Sequence, residues 1–281
     1  MGKIRKAKES ELWIVYQYNP FSQKKDTLKA LLDIKRNYSL QVPLNQATFV
    51  SLVCGSVSEL VFLEPSDSLF LSSDMPDFKK NMSFSGRGAA NNACLQAFLK
   101  DPVASTLNAP EMTGIHHETV LMRADASFQY FEELRSQYKV SKSFNHAIHD
   151  YCYWQPLSRF LEQKSLNYNL QTVPELYQLL WDVHKNSVED HYLAFNPTFA
   201  LQYYYLLYAH FCKLGNSAVE MKRQFYHYLK AIPETALSEI LCVTYALHLA
   251  KLAENSLLQD LKPDLMQHVS TPHLRAVLQE L

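Results

Sequence analysis

Glycine is scarce in this chain, with only 6 in 281 residues, whereas tyrosine occurs 17 times and phenylalanine 15 times. A protein of average composition and this length would contain roughly 20 glycines. Phosphate-binding loops, doubly wound nucleotide-binding folds and tight hairpins use glycine where the backbone bends sharply or approaches a ligand closely. The chain therefore has little of the residue that those structures require.

Positive and negative side chains nearly balance, with 27 Lys and Arg against 28 Asp and Glu. The content of 20% charged and 47% hydrophobic residues is typical of a globular protein and not of a disordered one. Proteins that bind nucleic acids or anionic membranes need an electropositive surface, so we expect no nucleic-acid partner. No apolar run approaches the length of a membrane span, so we expect none.

The cysteines are odd in number, widely spaced and without a CxxC pair, which argues against a disulfide framework and against a zinc site. No apolar segment follows the basic residues at the start of the sequence, which argues against a secretory signal. We therefore expect reduced thiols in a cytoplasmic protein, or in one delivered into a reducing cytosol without a classical signal peptide.

The first 125 residues predict a small α/β (α+β) region. Short apolar runs rich in β-forming residues predict strands over residues 12–16, 48–53, 68–71 and 119–122. Apolar residues at helical spacing predict a helix over residues 26–36. A second helix is predicted over residues 91–100, ending before Pro102.

Residues 126–281 predict a helical bundle or an array of helical hairpins, and the chain as a whole is predicted to be mainly α. Capping residues and prolines mark the ends of the predicted helices. Helix starts are predicted at Thr172, Asn196, Ser217, Thr235 and Thr271. Breaks are predicted near Pro156, Gly215 and Pro233.

Prolines 197, 233 and 272 recur at a spacing that suits stacked helical hairpins. Residues 202–235 resemble one tetratricopeptide-like repeat, with Tyr205, Ala209, Phe225 and Pro233 at positions that this family favours. Met221 and Tyr228 depart from it, because the family prefers alanine there. The resemblance implies a repeat array, and a helical bundle with ordinary caps is the alternative.

Tyrosines are dense between residues 192 and 228. Tyrosine combines a large apolar area with a polar tip, a property enriched at protein interfaces. We therefore expect a protein-interaction or regulatory module that binds another protein through an aromatic helical surface. The predicted interface residues are Tyr203, Tyr204, Tyr205 and Tyr208. The alternative is that these tyrosines line a helical core.

Cys94 follows a loop of Gly and Asn residues and is predicted to lie in the first turn of a helix, where the helix dipole favours a thiolate. His146, in the triplet His-Ala-Ile, is the predicted base. The arrangement resembles papain-like thiol enzymes. It implies a cysteine-dependent protease, deamidase or acyl transferase as an alternative function. The structural alternative is that Cys94 is a small buried hydrophobic residue.

Histidines followed by a His-Asp doublet loosely resemble the HD-type metal phosphohydrolases, in which helices present imidazoles and carboxylates to a divalent ion. The candidate ligands are His117, His149, Asp150 and His184. Helix caps and core hydrogen bonds are the alternative roles for these residues. The sequence predicts no other cofactor, and it leaves open both the oligomeric state and whether the protein is an enzyme.

Overall fold

A computed structural model describes residues 1–16, 26–44, 46–102, 104, 117–165, 204, 207–208, 218–232 and 235–281. Contacts within the chain divide it into two compact units. The described residues as far as Pro156 belong to the first unit, and those from Leu157 onward belong to the second. The division falls later in the sequence than the boundary that we predicted at residue 125.

The first unit contains two four-stranded sheets. The strands are β1 (Gly2–Arg5), β2 (Glu11–Tyr16), β3 (Asp26–Leu31), β4 (Asn37–Tyr38), β5 (Thr48–Cys54), β6 (Val57–Leu63), β7 (Ser68–Asp74) and β8 (Ser83–Arg87). The first sheet has the order β4-β1-β7-β8, and β1 runs parallel to β7. The second sheet has the order β3-β2-β5-β6 and is antiparallel throughout.

The described residues also form seven helices. They are α1 (Ala89–Lys100), α2 (His117–Arg135), α3 (Lys142–Ser165), α4 (Ala218–Lys230), α5 (Thr235–Lys251), α6 (Asn255–His268) and α7 (Pro272–Glu280). The prediction of a mainly α chain is wrong, because the helices accompany two full sheets. The error arose within the first 125 residues, where five of the eight strands were not recognised.

Two elements of the first unit have the opposite conformation to the predicted one. Residues 26–36, predicted as a helix, contain strand β3, and residues 119–122, predicted as a strand, lie within α2. In β3, Leu28 lies opposite Ile14 and Ala30 lies opposite Leu12. Pairing with β2 therefore overrides the helical spacing of the apolar residues in this segment. The strands predicted over 12–16, 48–53 and 68–71 are confirmed as β2, β5 and β7.

The two sheets share one hydrophobic core. Strands β2 and β5 bury every second side chain, as expected for strands with one face toward a core. These side chains form a single cluster with Ile4 of β1 and Leu71 of β7, which belong to the other sheet. The sheets therefore pack face to face as a β-sandwich.

The second sheet is covered on its other face by helices. Phe49 of β5 and Phe62 of β6 point away from the sandwich core and join a second cluster with Phe98 of α1, Phe131 of α2 and Phe144 of α3. The ring of Phe62 lies 5.3 Å from that of Phe49 and 5.1 Å from that of Phe144, both in edge-to-face geometry. The first unit thus has three layers: sheet, sheet and helices.

Helix α1 provides hydrogen-bond partners for backbone groups at one edge of the second sheet. Strand β6 is an edge strand, and the backbone groups of Phe62 that face away from β5 pair with the fully buried side chain of Asn92. Asn92 Oδ1 accepts a hydrogen bond from Phe62 N, and Asn92 Nδ2 donates one to Phe62 O, each at 2.8 Å. One turn later, Gln96 Nε2 donates to Leu60 O at 3.2 Å. Two amide side chains therefore replace the neighbouring strand that β6 lacks.

We expect Asn92→Ala to destabilise the protein by about 2 to 4 kcal/mol, because it leaves the N–H and the C=O of Phe62 buried without partners. Urea unfolding followed by far-ultraviolet circular dichroism measures the loss. Asn81→Ala, which removes an exposed asparagine, is the matched control. Equal midpoints for the two variants would contradict the role given to Asn92.

The helix ends of the second unit follow several of the sequence signals. Helix α5 starts at Thr235 as predicted, and α7 starts at Pro272, directly after the predicted cap Thr271. By contrast, α3 continues through Pro156, so the predicted break at that residue is wrong. The predicted starts at Thr172 and Asn196 and the predicted break at Gly215 lie outside the described residues.

The buried carboxylate of Glu239 on α5 holds the start of α7. Glu239 Oε1 accepts hydrogen bonds from Ser270 N at 2.9 Å and from Ser270 Oγ at 2.7 Å, and Oε2 accepts one from Thr271 N at 3.1 Å. Burial alone would raise the pKa of Glu239, but these hydrogen bonds hold it below its ordinary value. Because the folded-state pKa is lowered, the ionised side chain stabilises the folded state.

We expect Glu239→Gln to lower the free energy of unfolding by about 1 to 3 kcal/mol at neutral pH, because an amide N–H₂ cannot accept the hydrogen bonds that the carboxylate oxygens accept. The stabilisation by Glu239 is present above the ordinary pKa of 4.5 and is lost as the pH falls through the lower folded-state value. The difference between wild type and variant should therefore shrink in acid. Urea unfolding at neutral and at acidic pH measures it, with Glu280→Gln on the exposed end of α7 as the control.

Candidate functional site

A cavity of about 600 Å³ lies between the two sheets of the first unit. Ile14, Val50 and Leu52 line it from the second sheet, and Leu69 and Leu71 line it from the first. Protein interiors are otherwise close-packed, with few voids larger than a water molecule. A space of this size is in the range of small-molecule binding sites.

The turn that connects β6 to β7 forms a polar part of the cavity wall. Glu64, Ser66 and Asp67 of this turn line the cavity. Asp67 N donates a hydrogen bond to Glu64 O at 3.1 Å, and Glu64 N donates one to Asp67 Oδ2 at 2.9 Å, so the turn is closed on both sides. Burial raises the pKa of Asp67, although the hydrogen bond from Glu64 N opposes this shift. The wall thus presents hydrogen-bond acceptors beside an apolar interior.

A second, more polar cavity of about 430 Å³ shares Glu64, Pro65 and Asp67 with the first. The start of α1 forms part of its lining, and Gly88 there has a φ of 93°. A Cβ at this position would lie 2.5 Å from Asp67 Oδ2. Glycine is therefore required both by the left-handed backbone and by the close approach of the Asp67 carboxylate.

Asn91 fixes the position of Glu64 in this wall. Asn91 Nδ2 donates hydrogen bonds to Glu64 Oε2 at 2.8 Å and to Ser141 Oγ at 3.2 Å, while Asn91 Oδ1 accepts one from Ser141 N at 2.9 Å. Ser141 Oγ also accepts a hydrogen bond from Phe144 N at 3.1 Å and so caps the start of α3. The turn after β6, helix α1 and the start of helix α3 are therefore joined through one asparagine side chain.

The structure places Cys94 in the hydrophobic core. Helix α1 begins at Ala89, two residues earlier than predicted, so Cys94 lies in its second turn and the prediction that it lies in the first turn is wrong. The side chain is fully buried in the cluster that contains Phe62, Phe98 and Phe131. Burial raises the pKa of Cys94 to about 12, and the charge of Arg135 opposes this only in part. A thiol in this environment stays protonated at neutral pH and does not favour nucleophilic attack.

We expect iodoacetamide at neutral pH to alkylate Cys94 in the native protein no faster than Cys152, which is also fully buried with a raised pKa. The physical reason is that both thiols are inaccessible and protonated. Peptide mass spectrometry after timed labelling measures both rates, and labelling in urea provides the fully accessible reference. Rapid and selective labelling of Cys94 in the folded protein would restore the thiol-enzyme hypothesis.

His149 of α3 packs among aromatic rings. The ring of His149 lies 4.8 Å from that of Phe128 and 4.6 Å from that of Tyr153. Burial, with a smaller contribution from His146, lowers the pKa of His149. No group of three or more potential metal ligands occurs among the residues that the structure describes. His117 and Asp150 lie on α2 and α3, and His184 is outside the described residues.

Of the four tyrosines predicted to form an interface, Tyr204 and Tyr208 are described, whereas Tyr203 and Tyr205 are not. Tyr204 is fully buried, and its hydroxyl lies 2.5 Å from His248 Nδ1. Its ring stacks on that of Tyr208 at 5.9 Å and meets that of Phe225 edge-on at 5.6 Å. Tyr204 therefore belongs to a core, which was the alternative to an exposed aromatic surface.

Three buried amides of α1 have roles that the sequence motifs did not predict: Asn91, Asn92 and Gln96. They lie in the same segment as Cys94, and their position among alanines, leucine and phenylalanine was a signal that polar groups would be buried. Their partners are far away in the sequence, at Phe62, Leu60 and Ser141.

Comparison with models of protein families, with curated proteins and with solved structures found no match for this chain. The resemblances to a tetratricopeptide-like repeat and to papain-like enzymes therefore stay predictions. Within the described ranges, no helix combines the length and the apolar character that crossing a membrane requires.

Proposed function

We propose that the first unit binds a small, largely apolar molecule in the cavity between its two sheets. The single observation that carries this proposal is the cavity itself, which has a volume of about 600 Å³ and apolar side chains on the facing strands. Cavities of about 300 to 1,000 Å³ with apolar walls and a few polar groups are typical of small-molecule sites.

The chemistry of the walls supports an apolar body with a polar end. Val50, Leu52 and Val61 remove water from apolar surface, which stabilises a bound molecule by about 25 cal/mol for each Å² that is buried. The carboxylates of Glu64 and Asp67 accept hydrogen bonds, so a hydroxyl or N–H group at one end of the ligand would be oriented toward them.

Binding is better supported than catalysis. In the part of the chain that the structure describes, neither cavity is lined by a cysteine or a histidine. The residues Cys94 and His146 of the thiol-enzyme hypothesis are thus not part of either wall. Glu64 and Asp67 have structural hydrogen bonds that account for their positions.

We expect the purified full chain to bind Nile red, a neutral apolar fluorophore, with saturable enhancement and a blue shift of its emission, because the dye leaves water for an apolar site. Val50→Phe fills the cavity from β5 and should weaken binding at least about tenfold. A fluorescence titration measures both dissociation constants.

Val53→Phe is the matched control for this experiment. Val53 lies on the same strand as Val50, an odd number of residues away, so its side chain is on the other face of the sheet. It does not line the cavity. Thermal melting of both variants confirms that they are folded. Absence of saturable binding to the wild type, or equal binding by Val50→Phe and the wild type, would overturn the proposal.

A further inference from the structure

One wall of the cavity has no regular secondary structure. Residues 39–44, which we name the strap, form the first part of the connection between β4 of the first sheet and β5 of the second. Leu40, Val42 and Leu44 are half-buried, line the cavity and pack against the sandwich core, whereas the residues between them are exposed. Ser39 and Gln41 line the cavity as well, so nearly the whole strap contributes to this wall, although it belongs to neither sheet.

The backbone of the strap is not hydrogen-bonded to another backbone group in the described part of the chain. Pro43, near its end, has no N–H group to donate. The strap is consequently held against the cavity by the apolar contacts of Leu40, Val42 and Leu44. Moving it aside breaks those contacts but breaks no backbone hydrogen bond to another described residue.

The other walls of the cavity differ from the strap in this respect. Strands β2, β5, β6 and β7 are each paired on at least one side within a sheet. The turn formed by residues 64–67 is closed by two hydrogen bonds and is tied to α1 through Asn91. Segments with few backbone hydrogen bonds open at lower free energy than paired strands. The strap is thus the wall segment whose opening requires the least disruption.

We propose that the strap is the gate of the cavity, which opens to admit an apolar ligand and closes over it. This inference rests on the proposed ligand-binding function. In the closed state Leu40, Val42 and Leu44 contact the apolar body of the ligand, so the ligand stabilises closure. Opening of the strap precedes both entry and release, and its frequency limits both rates.

Stopped-flow fluorescence with Nile red tests the gate. Val42→Ala removes apolar contact that holds the strap closed, and both the association and the dissociation rate constants should rise by up to about tenfold. Val53→Ala, which shortens a half-buried valine that does not line the cavity, is the matched control and should leave both rate constants unchanged. Circular dichroism confirms that both variants are folded.

Hydrogen exchange of the wild type gives a second measurement that needs no variant. The amides of Leu40, Gln41 and Val42 should exchange faster than those of β5 in the free protein, and more slowly once Nile red is bound. Protection of these amides equal to that of β5 in the free protein would overturn the gate, as would unchanged rate constants in Val42→Ala.

The two proposals fail in different ways. Saturable binding of Nile red with no kinetic effect of Val42→Ala rejects the gate and keeps the ligand cavity. Absence of binding to the wild type rejects the ligand cavity and, with it, the role of the strap in admitting a ligand.

Discussion

The pairing between Asn92 and the backbone of Phe62 organises the first unit. Strand β6 lies at the edge of a sheet, yet Phe62 on this strand and the Asn92 side chain that pairs with its backbone are fully buried. A buried N–H or C=O without a partner costs about 1 to 3 kcal/mol, so the side chain that satisfies both has little freedom. The two bonds from Asn92 therefore set the position and the rotation of α1. Once they are made, Asn91 faces Glu64 and Ser141, and Cys94 and Phe98 face the aromatic core.

Helix α1 supports one part of the cavity wall, whereas another part lacks this support and can move more easily. Through Asn91, α1 fixes the acidic turn that carries Glu64 and Asp67, so the polar groups keep their places whether the cavity is filled or empty. Among the described residues, the strap that carries Val42 has no backbone hydrogen bond to another backbone group and is held by side-chain contacts. A binding site benefits from this division, since orientation of a ligand needs fixed polar groups and its entry needs a wall that moves.

Local signals in the sequence predicted local structure. The apolar run at residues 12–16 and the Thr271-Pro272 pair correctly marked β2 and the start of α7, because their causes lie in neighbouring residues. The scarcity of glycine led us to expect few tight turns. That expectation failed because Arg36 and Ser66 adopt positive φ values of 64° and 71° in turns where glycine is more usual. The candidate site, in contrast, is formed by residues that are far apart in the sequence. Neither the burial of Cys94 nor the cavity between the sheets follows from spacing along a single chain, because both arise from the packing of strands and helices that are far apart in sequence.

The place of β1 within the first sheet has a consequence for the order in which the molecule assembles. Strand β1 lies between β4 and β7 and runs parallel to β7. In the sequence, most of the other strands of the sandwich come between β1 and β7. The hairpin of β5 and β6, by contrast, closes over the two residues Gly55 and Ser56. Short-range pairings form before long-range ones because less chain entropy is lost on closing a small loop. The antiparallel second sheet therefore forms before the first sheet, which then packs against it. Strand β1 can pair with β4 early, but its other edge must remain without a partner on the ribosome until β7 has emerged, which leaves that edge open to incorrect pairing during synthesis.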